Sequence, residues 1–262
     1  MKYTIHPLYN GQFSIHFKSI YSVQNIHSFA FLIVDKCNDP VLVDTGFTPE
    51  YIPGPSTSFI QNPEHQLDNA ICALGYHPYD IKTVVQTHLH WDHTAGMRLF
   101  PHARFYIQAN EFRSLLRLYP NEETSFCPGH WQQLLDQVEL IDGDFELKPG
   151  LRLVYTGGHT AGHQVVEVQT EAGKIILGGD VPYNYDMLWE TIPGPLWDAF
   201  RQGPGARFYW DDSVLPDITR WLQTKNISEE PWTDKIEYKK ITEQADRLIL
   251  SHDRELIKTS KF

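Results

Sequence analysis

The chain has 262 residues, 41% of them hydrophobic and 13% aromatic, which is enough for a sizeable core and excludes a disordered polymer. Its net charge is −11, with 22 Lys and Arg against 33 Asp and Glu and no basic stretch, which argues against nucleic acid or an anionic membrane as partner. Cys37, Cys72 and Cys127 are widely spaced and odd in number, so a reducing compartment without a disulfide framework is expected. Residues 1–7 lack an apolar leader and no window of 18 apolar residues occurs, so a cytoplasmic protein without a membrane span is expected.

The first elements read as short strands. Residues 12–17 alternate polar and apolar side chains, 29–34 are continuously apolar, and 41–43 lead into Asp44-Thr45-Gly46 after an Asp39-Pro40 turn. Residues 47–63, with Pro49, Pro53, Gly54, Pro55 and Pro63, read as a long irregular loop of the kind that often serves function. Leu67, Ala70, Ile71 and Leu74 recur at helical spacing over 66–74, closed by Gly75.

A buried strand is expected at 81–86 and a short helix from Thr94 to Phe100. A strand at 103–108 precedes a helix over 111–118 with Asn110 as its cap. Residues 120–129 read as irregular and 131–135 as helical. Further strands are expected at 138–141, 151–155, 164–169 and 173–177, the last ending in Gly178-Gly179-Asp180.

Residues 181–246 change in texture. Their first part is rich in aromatics, Pro and Gly, including Tyr183, Tyr185, Trp189, Trp197 and Phe200; helical patterns follow at 212–223 and 236–245. A last buried strand at 247–250 leads to Ser251-His252-Asp253. With no repeat and no linker, one domain over 1–262 is expected, with 181–246 as an insert that shapes a pocket. Strands outnumber the helices that a doubly wound parallel sheet needs, so the fold class is α/β, a sandwich of two sheets with helices outside.

The densest chemistry lies in Thr87-His88-Leu89-His90-Trp91-Asp92-His93. Three histidines and an aspartate at a strand end are the donor types that a borderline divalent cation such as zinc takes. Three more apolar runs end in such residues: 153–155 into His159, 175–177 into Asp180 and 248–250 into His252. Five histidines and two aspartates exceed the needs of one tetrahedral zinc, so two adjacent metals are the economical reading. His163 reads as a structural histidine and Trp91 as packing beside the site. His6, His16, His27, His65, His77, His102 and His130 read as ordinary surface or core residues.

His88-x-His90-x-Asp92-His93, followed by Gly158-His159, Gly179-Asp180 and Ser251-His252, resembles the signature of the metallo-β-lactamase superfamily, and Asp44-Thr45-Gly46 resembles its early strand-end motif. The resemblance covers residues 28–253 and implies an αββα sandwich with the site at one edge of the two sheets. It implies one metal on His88, His90 and His159, another on Asp92, His93 and His252, Asp180 bridging both, a bridging hydroxide, and Asp44 orienting ligands from behind. Two divalent ions are implied, zinc foremost, with manganese, iron or cobalt acceptable to the same donors.

Trp91, Gly-His-Thr-Ala-Gly-His at 158–163 and Tyr183 narrow the resemblance to the N-acyl-homoserine lactonases, enzymes of quorum quenching. That implies a metal-dependent hydrolase opening a lactone ring, with the hydroxide attacking the ester carbonyl, Tyr183 on the oxyanion and Asp92 or a water supplying the proton. The expected partners are a small lactone or ester and, for assembly, a second copy of the chain as a homodimer. A glyoxalase II-like thioester hydrolase, a β-lactamase and a non-enzymatic scaffold are the other readings. Only ten residues follow His252, which leaves little room for the helical glutathione-binding region of glyoxalase II relatives.

Overall fold

The computed structural model describes residues 1–17, 21–51, 57–115, 125–157, 159–180 and 244–262. Tyr183, the expected helix at 212–223 and residues 236–243 of the one at 236–245 lie outside the described residues.

The architecture is built on β1 (Tyr3–Phe17) and β2 (Tyr21–Asp35), which pair antiparallel. β2 explains itself through its sequence: a strand that alternates faces and yet is apolar throughout 29–34 must be buried on both sides. Ala30, Leu32 and Val34 enter one core with Leu42, Val84, Phe105, Leu67 and Ile71. Phe29, Phe31 and Ile33 enter a second with Val43, Val85, Leu153, Val166, Val168 and Ile175.

Five parallel or antiparallel neighbours extend one half: β3 (Val41–Val43), β4 (Thr57–Ile60), β5 (Thr83–Val85), β6 (Arg104–Gln108) and β7 (Val138–Ile141). The other half holds β8 (Phe145–Lys148), β9 (Leu151–Tyr155), β10 (Gln164–Thr170), β11 (Gly173–Leu177) and β12 (Arg247–Ile249). Hydrogen bonding runs in the order β12-β11-β10-β1-β2-β3-β5-β6-β7, with β9 on β10, β8 on β9 and β4 on β1. Because the second core joins side chains of β2, β3 and β5 to those of β9, β10 and β11, the two halves face each other as a sandwich. Helix α1 (Leu67–Ala73) covers the outer face of the first half through Leu67 and Ile71. On the outer face of the second half, Val154, Val165 and Ile176 pack with Ala245 and Leu248. This is the expected α/β sandwich.

Several elements depart from the sequence pattern. β1 begins at Tyr3, not at residue 12, because both its ends find partners: Tyr3 pairs Thr170, and Gln12 to Ile15 pair β4. β4 itself lies within the expected irregular loop and depends on that pairing, with Phe59 and Ile60 exposed. β8, Phe-Glu-Leu-Lys, alternates apolar and polar residues over only four positions and pairs β9. The helix after β6, α3 (Ala109–Ser114), starts before Asn110, whose side chain accepts from Arg113 and donates to Tyr155 Oη rather than capping. The helix expected at 131–135 is a turn between two 3₁₀ segments, Pro128–His130 and Leu135–Gln137. The helix expected over 94–100 is instead α2 (Trp91–Thr94) followed by 3₁₀ turns over Ala95–Leu99. Among the described residues no helix is long and apolar enough to cross a membrane.

Register decides where the ends fall. β3, β5 and β6 run parallel, as do β11 and β12, so Asp44, His88, Asp180 and His252 all leave the sheets at carboxyl ends. Phe31→Ala and Leu32→Ala, one in each core, should each lower unfolding free energy by about 2–5 kcal/mol in urea titration. Ile60→Ala, 59% exposed, should change it by less than about 0.5 kcal/mol. Equal losses at all three positions would contradict the two-core account.

Candidate metal centre

The turn after β3 and the turn after β5 are tied together by one carboxylate. Asp44 Oδ1 accepts from Thr87 N at 2.8 Å, and Oδ2 accepts from Thr87 Oγ1 and from His93 Nδ1, each at 2.8 Å. To do this Asp44 adopts a left-handed backbone, φ +59°, which costs an aspartate less than most residues. Thr45 donates from N and from Oγ1 to the His93 carbonyl, docking α2 onto the same turn.

These bonds fix which imidazole nitrogens are free. Thr87 Oγ1 spends its proton on Asp44, so it accepts from His88 Nδ1 at 3.0 Å. His93 Nδ1 donates to Asp44, and His252 Nδ1 donates to the His27 carbonyl at 2.6 Å. All three rings therefore turn Nε2 toward one space, the usual device by which a partner behind the ring orients a ligand.

The expected site residues converge there in three groups: His88, His90 and His159; His88, His93 and Asp180; and Asp92, His93 and His252. Within each group the candidate donor atoms lie within 4.8 Å of one another. Asp180 Oδ1 is 3.2 Å from both His93 Nε2 and His252 Nε2, and its Oδ2 is 3.3 Å from His159 Nε2 and 3.8 Å from His88 Nε2. It sits between the groups. Asp92 Oδ2 is 3.6 Å from both His93 Nε2 and His252 Nε2.

His252 Nε2 bonds Asp180 Oδ2 at 3.3 Å, but other polar atoms of the cluster meet no partner among the described residues. His88 Nε2, His93 Nε2 and Asp180 Oδ1 are buried without a hydrogen-bond partner among the described residues, despite the 3.2 Å between the last two. A buried polar atom without a partner is costly, and three together ask for an occupant. His90 Nδ1 and His159 Nε2 are 2.9 Å apart; two such nitrogens either share a proton or direct both lone pairs at one cation. An all-imidazole and carboxylate set of this kind fits a divalent cation.

Charge points the same way. Burial, reinforced by neighbouring imidazoles, holds His88 and His90 well below the ordinary histidine range and His159 down at about 4, so all three are in the neutral, ligating form. Burial also pulls on His93 and His252, but Asp180 and Asp92, with Asp44 on His93, outweigh it and raise both. Burial would raise Asp180, yet His252, His93 and His159 hold it well below the carboxylate range, whereas burial does raise Asp92. The site is built to attract positive charge.

His163 stands outside the three groups. Its Nδ1 is 2.8 Å from Thr156 Oγ1, and its Nε2 accepts from the Asp180 amide at 3.2 Å, so it positions the loop carrying Asp180. Gly179 in that loop has φ +56°, and a Cβ there would come within 2.8 Å of His163 Nε2 and 2.9 Å of Thr87 Cβ. Trp91 packs with Phe13, Phe47 and Ile26 beside the site. Tyr183 lies outside the described residues.

The family model described as the metallo-beta-lactamase superfamily matches residues 25–206. The chain belongs to the metallo-β-lactamase superfamily. Within that superfamily it is similar to the N-acyl homoserine lactonase of Bacillus thuringiensis, 28% identical over 165 residues. That match covers 59% of this chain and 64% of the relative, less than two thirds of the relative's length. It is also similar to the N-acyl homoserine lactonase AttM of Rhizobium radiobacter, 32% identical over 150 residues covering 48% of this chain and 51% of that one.

In fold the chain matches a B. thuringiensis AiiA mutant solved with N-decanoyl-L-homoserine at its active site. The TM-score is 0.66 at 20% identity, over 99% of this chain and 97% of that one. A probable metal-dependent hydrolase from Staphylococcus aureus matches with TM-score 0.57 at 19% identity, over 69% of this chain and 73% of that one. At these identities the structures establish the superfamily's sandwich, and the site rests on this chain's own residues.

Two residues that the sequence pattern does not mark also matter here. Glu111, fully buried in α3, accepts from the amides of Leu89 and Gly162. A lone glutamate in a first helical turn is ordinary electrostatics, so nothing in the pattern singles it out. His130 is fully buried, with Nδ1 2.9 Å from Thr94 Oγ1, while Thr94 Oγ1 donates to the His90 carbonyl.

Burial, with help from the charge of Arg98, holds His130 down at about 4. The unfolded chain takes up that proton near 6.5 and the native state does not, so native stability falls as pH drops from about 6.5 toward 4. His130→Asn, whose amide can replace Nδ1, should flatten the stability profile in that window by up to about 1.4 kcal/mol per pH unit in urea titrations. Parallel profiles for the two proteins would contradict the assignment of a buried neutral imidazole.

Proposed function

We propose that this chain is a dinuclear metal-dependent hydrolase that opens lactone rings, with N-acyl homoserine lactones as its substrates. The observation that carries the reading is the convergence of His88, His90, His159, Asp92, His93, His252 and Asp180 on one buried space at the carboxyl edge of the sheets. The similarity to curated lactonases supports the choice of substrate class. By the donor groups, His88, His90 and His159 would hold one ion, Asp92, His93 and His252 the other, with Asp180 between them. Two cations held there, zinc foremost, would supply Lewis-acid polarisation of the ester carbonyl and a water of lowered pKa.

The chain's own residues supply orientation and proton handling. Asp44, Thr87 and the His27 carbonyl fix the tautomers of His93, His88 and His252. In ring opening, water oxygen bonds to the carbonyl carbon, the ring C–O bond breaks, and the ring oxygen must gain a proton. Asp92, a buried carboxylate that burial makes more basic than usual, is the carrier we assign to that transfer. Tyr183 is assigned, from the family resemblance, the hydrogen bond to the developing oxyanion. The aromatic stretch after Asp180 and residues 47–63 are the segments proposed to select the acyl chain, within one domain.

A panel of acyl-homoserine lactones, simple lactones, S-lactoylglutathione and nitrocefin, run with zinc-loaded protein, tests the substrate class. Ring opening of the acyl-homoserine lactones should dominate; Asp180→Ala should remove bound metal and at least about 99% of activity together, and His90→Ala should lose the ion of the first position with as much of the activity. Thioester cleavage exceeding lactone cleavage would move the protein to the glyoxalase II-like reading. Undiminished ring opening after exhaustive chelation would end the metal-hydrolase reading.

A further inference from the structure

Glu111 is a fully buried carboxylate outside the donor groups, and its acceptors reach two separate loops of the site. Oε2 accepts from the amide of Leu89 at 2.9 Å, the residue between His88 and His90. Oε1 accepts from the amide of Gly162 at 2.8 Å and from the Thr160 hydroxyl, both just after His159. Gly162 permits this closeness: a Cβ there would collide with the Glu111 amide nitrogen. The His88–His90 loop follows β5, and the His159 loop links β9 to β10 in the other half of the sandwich. One side chain thus spans the two halves at the height of the first donor group.

We propose that Glu111 is a positioning residue that sets the geometry of one metal position, the one formed by His88, His90 and His159, and leaves the other to different supports. The second position is held from elsewhere: Asp44 on His93, and the His27 carbonyl on His252. The inference rests on the dinuclear reading above and adds that Glu111 acts on the affinity of the first ion alone, whereas Asp44 acts on both positions, on His93 directly and on His88 through Thr87. A carboxylate is required because every atom that these bonds bring to it is a donor. Glutamine in its place can keep an oxygen toward Thr160 and Gly162, but its NH₂ then faces the Leu89 N–H, donor against donor. Partners behind metal ligands typically change affinity by about 10- to 100-fold when removed.

The test is zinc release from fully loaded protein to a chromogenic chelator, in single-position backgrounds. In His252→Ala, which keeps the first position, Glu111→Gln should weaken the remaining zinc by about 10- to 100-fold. In His90→Ala, which keeps the second, Glu111→Gln should leave the remaining zinc's affinity within about twofold. Thr160→Val, which keeps both amide bonds, should act in the same direction by several-fold and serves if the glutamine variant does not fold. Equal weakening in both backgrounds, or none in either, would overturn the inference while leaving the dinuclear site standing. A wild type that binds no zinc would overturn both, and Glu111 would then be a packing residue only.

Discussion

Everything in this structure depends on keeping buried charge and buried lone pairs from meeting nothing. Asp180 is 4% exposed and lies between two sets of imidazole nitrogens, of which His88 Nε2 and His93 Nε2 are without hydrogen-bond partners among the described residues. Left alone, such a cluster would be destabilising, because each desolvated polar atom forfeits water without a replacement bond. The chain tolerates it because the apolar sandwich beneath is anchored on both faces of β2, and because the turns above are braced from behind. The site is a stored electrostatic demand that divalent cations would answer.

The bracing has a division of labour. Asp44 reaches Thr87 and His93, and through Thr87 it orients His88. Glu111 reaches the loops of His90 and His159, His163 holds the amide of Asp180, and the His27 carbonyl holds His252. Each support acts on a ring nitrogen or a loop amide and leaves the ligating atom pointing inward. Tautomer, orientation and loop spacing are thereby set before any ion arrives, which is the condition for tight and geometrically selective binding.

The chemistry of the site is far more legible in the sequence than its scaffolding. The donor residues stand out because histidines and aspartates repeatedly closing apolar runs are the pattern of ligands carried on strand ends. Val41–Val43, Leu151–Tyr155 and Gly173–Leu177 likewise fall where pattern places them. β4 and the first nine residues of β1 take their extended form from pairing with distant strands, whereas β8 carries its own alternation, Phe-Glu-Leu-Lys, but over four positions only. Glu111 carries no sequence mark at all, and His163, which the pattern reads as structural, shows what it holds only in the fold, the amide of Asp180. Their roles arise from which loops the fold brings beside them, and a single chain read locally does not contain that information. Trp131 shows the reverse failure: its helical-looking surroundings are a turn because 3₁₀ segments on both sides satisfy the backbone first.

The central claim is that one buried cluster holds two cations with Asp180 between them. The most direct measurement is a crystal structure of zinc-loaded protein with anomalous scattering recorded on both sides of the zinc edge. The account predicts two anomalous peaks, one among His88, His90 and His159 and one among Asp92, His93 and His252, with an Asp180 oxygen in reach of each. A single peak, or none within this cluster, would contradict it.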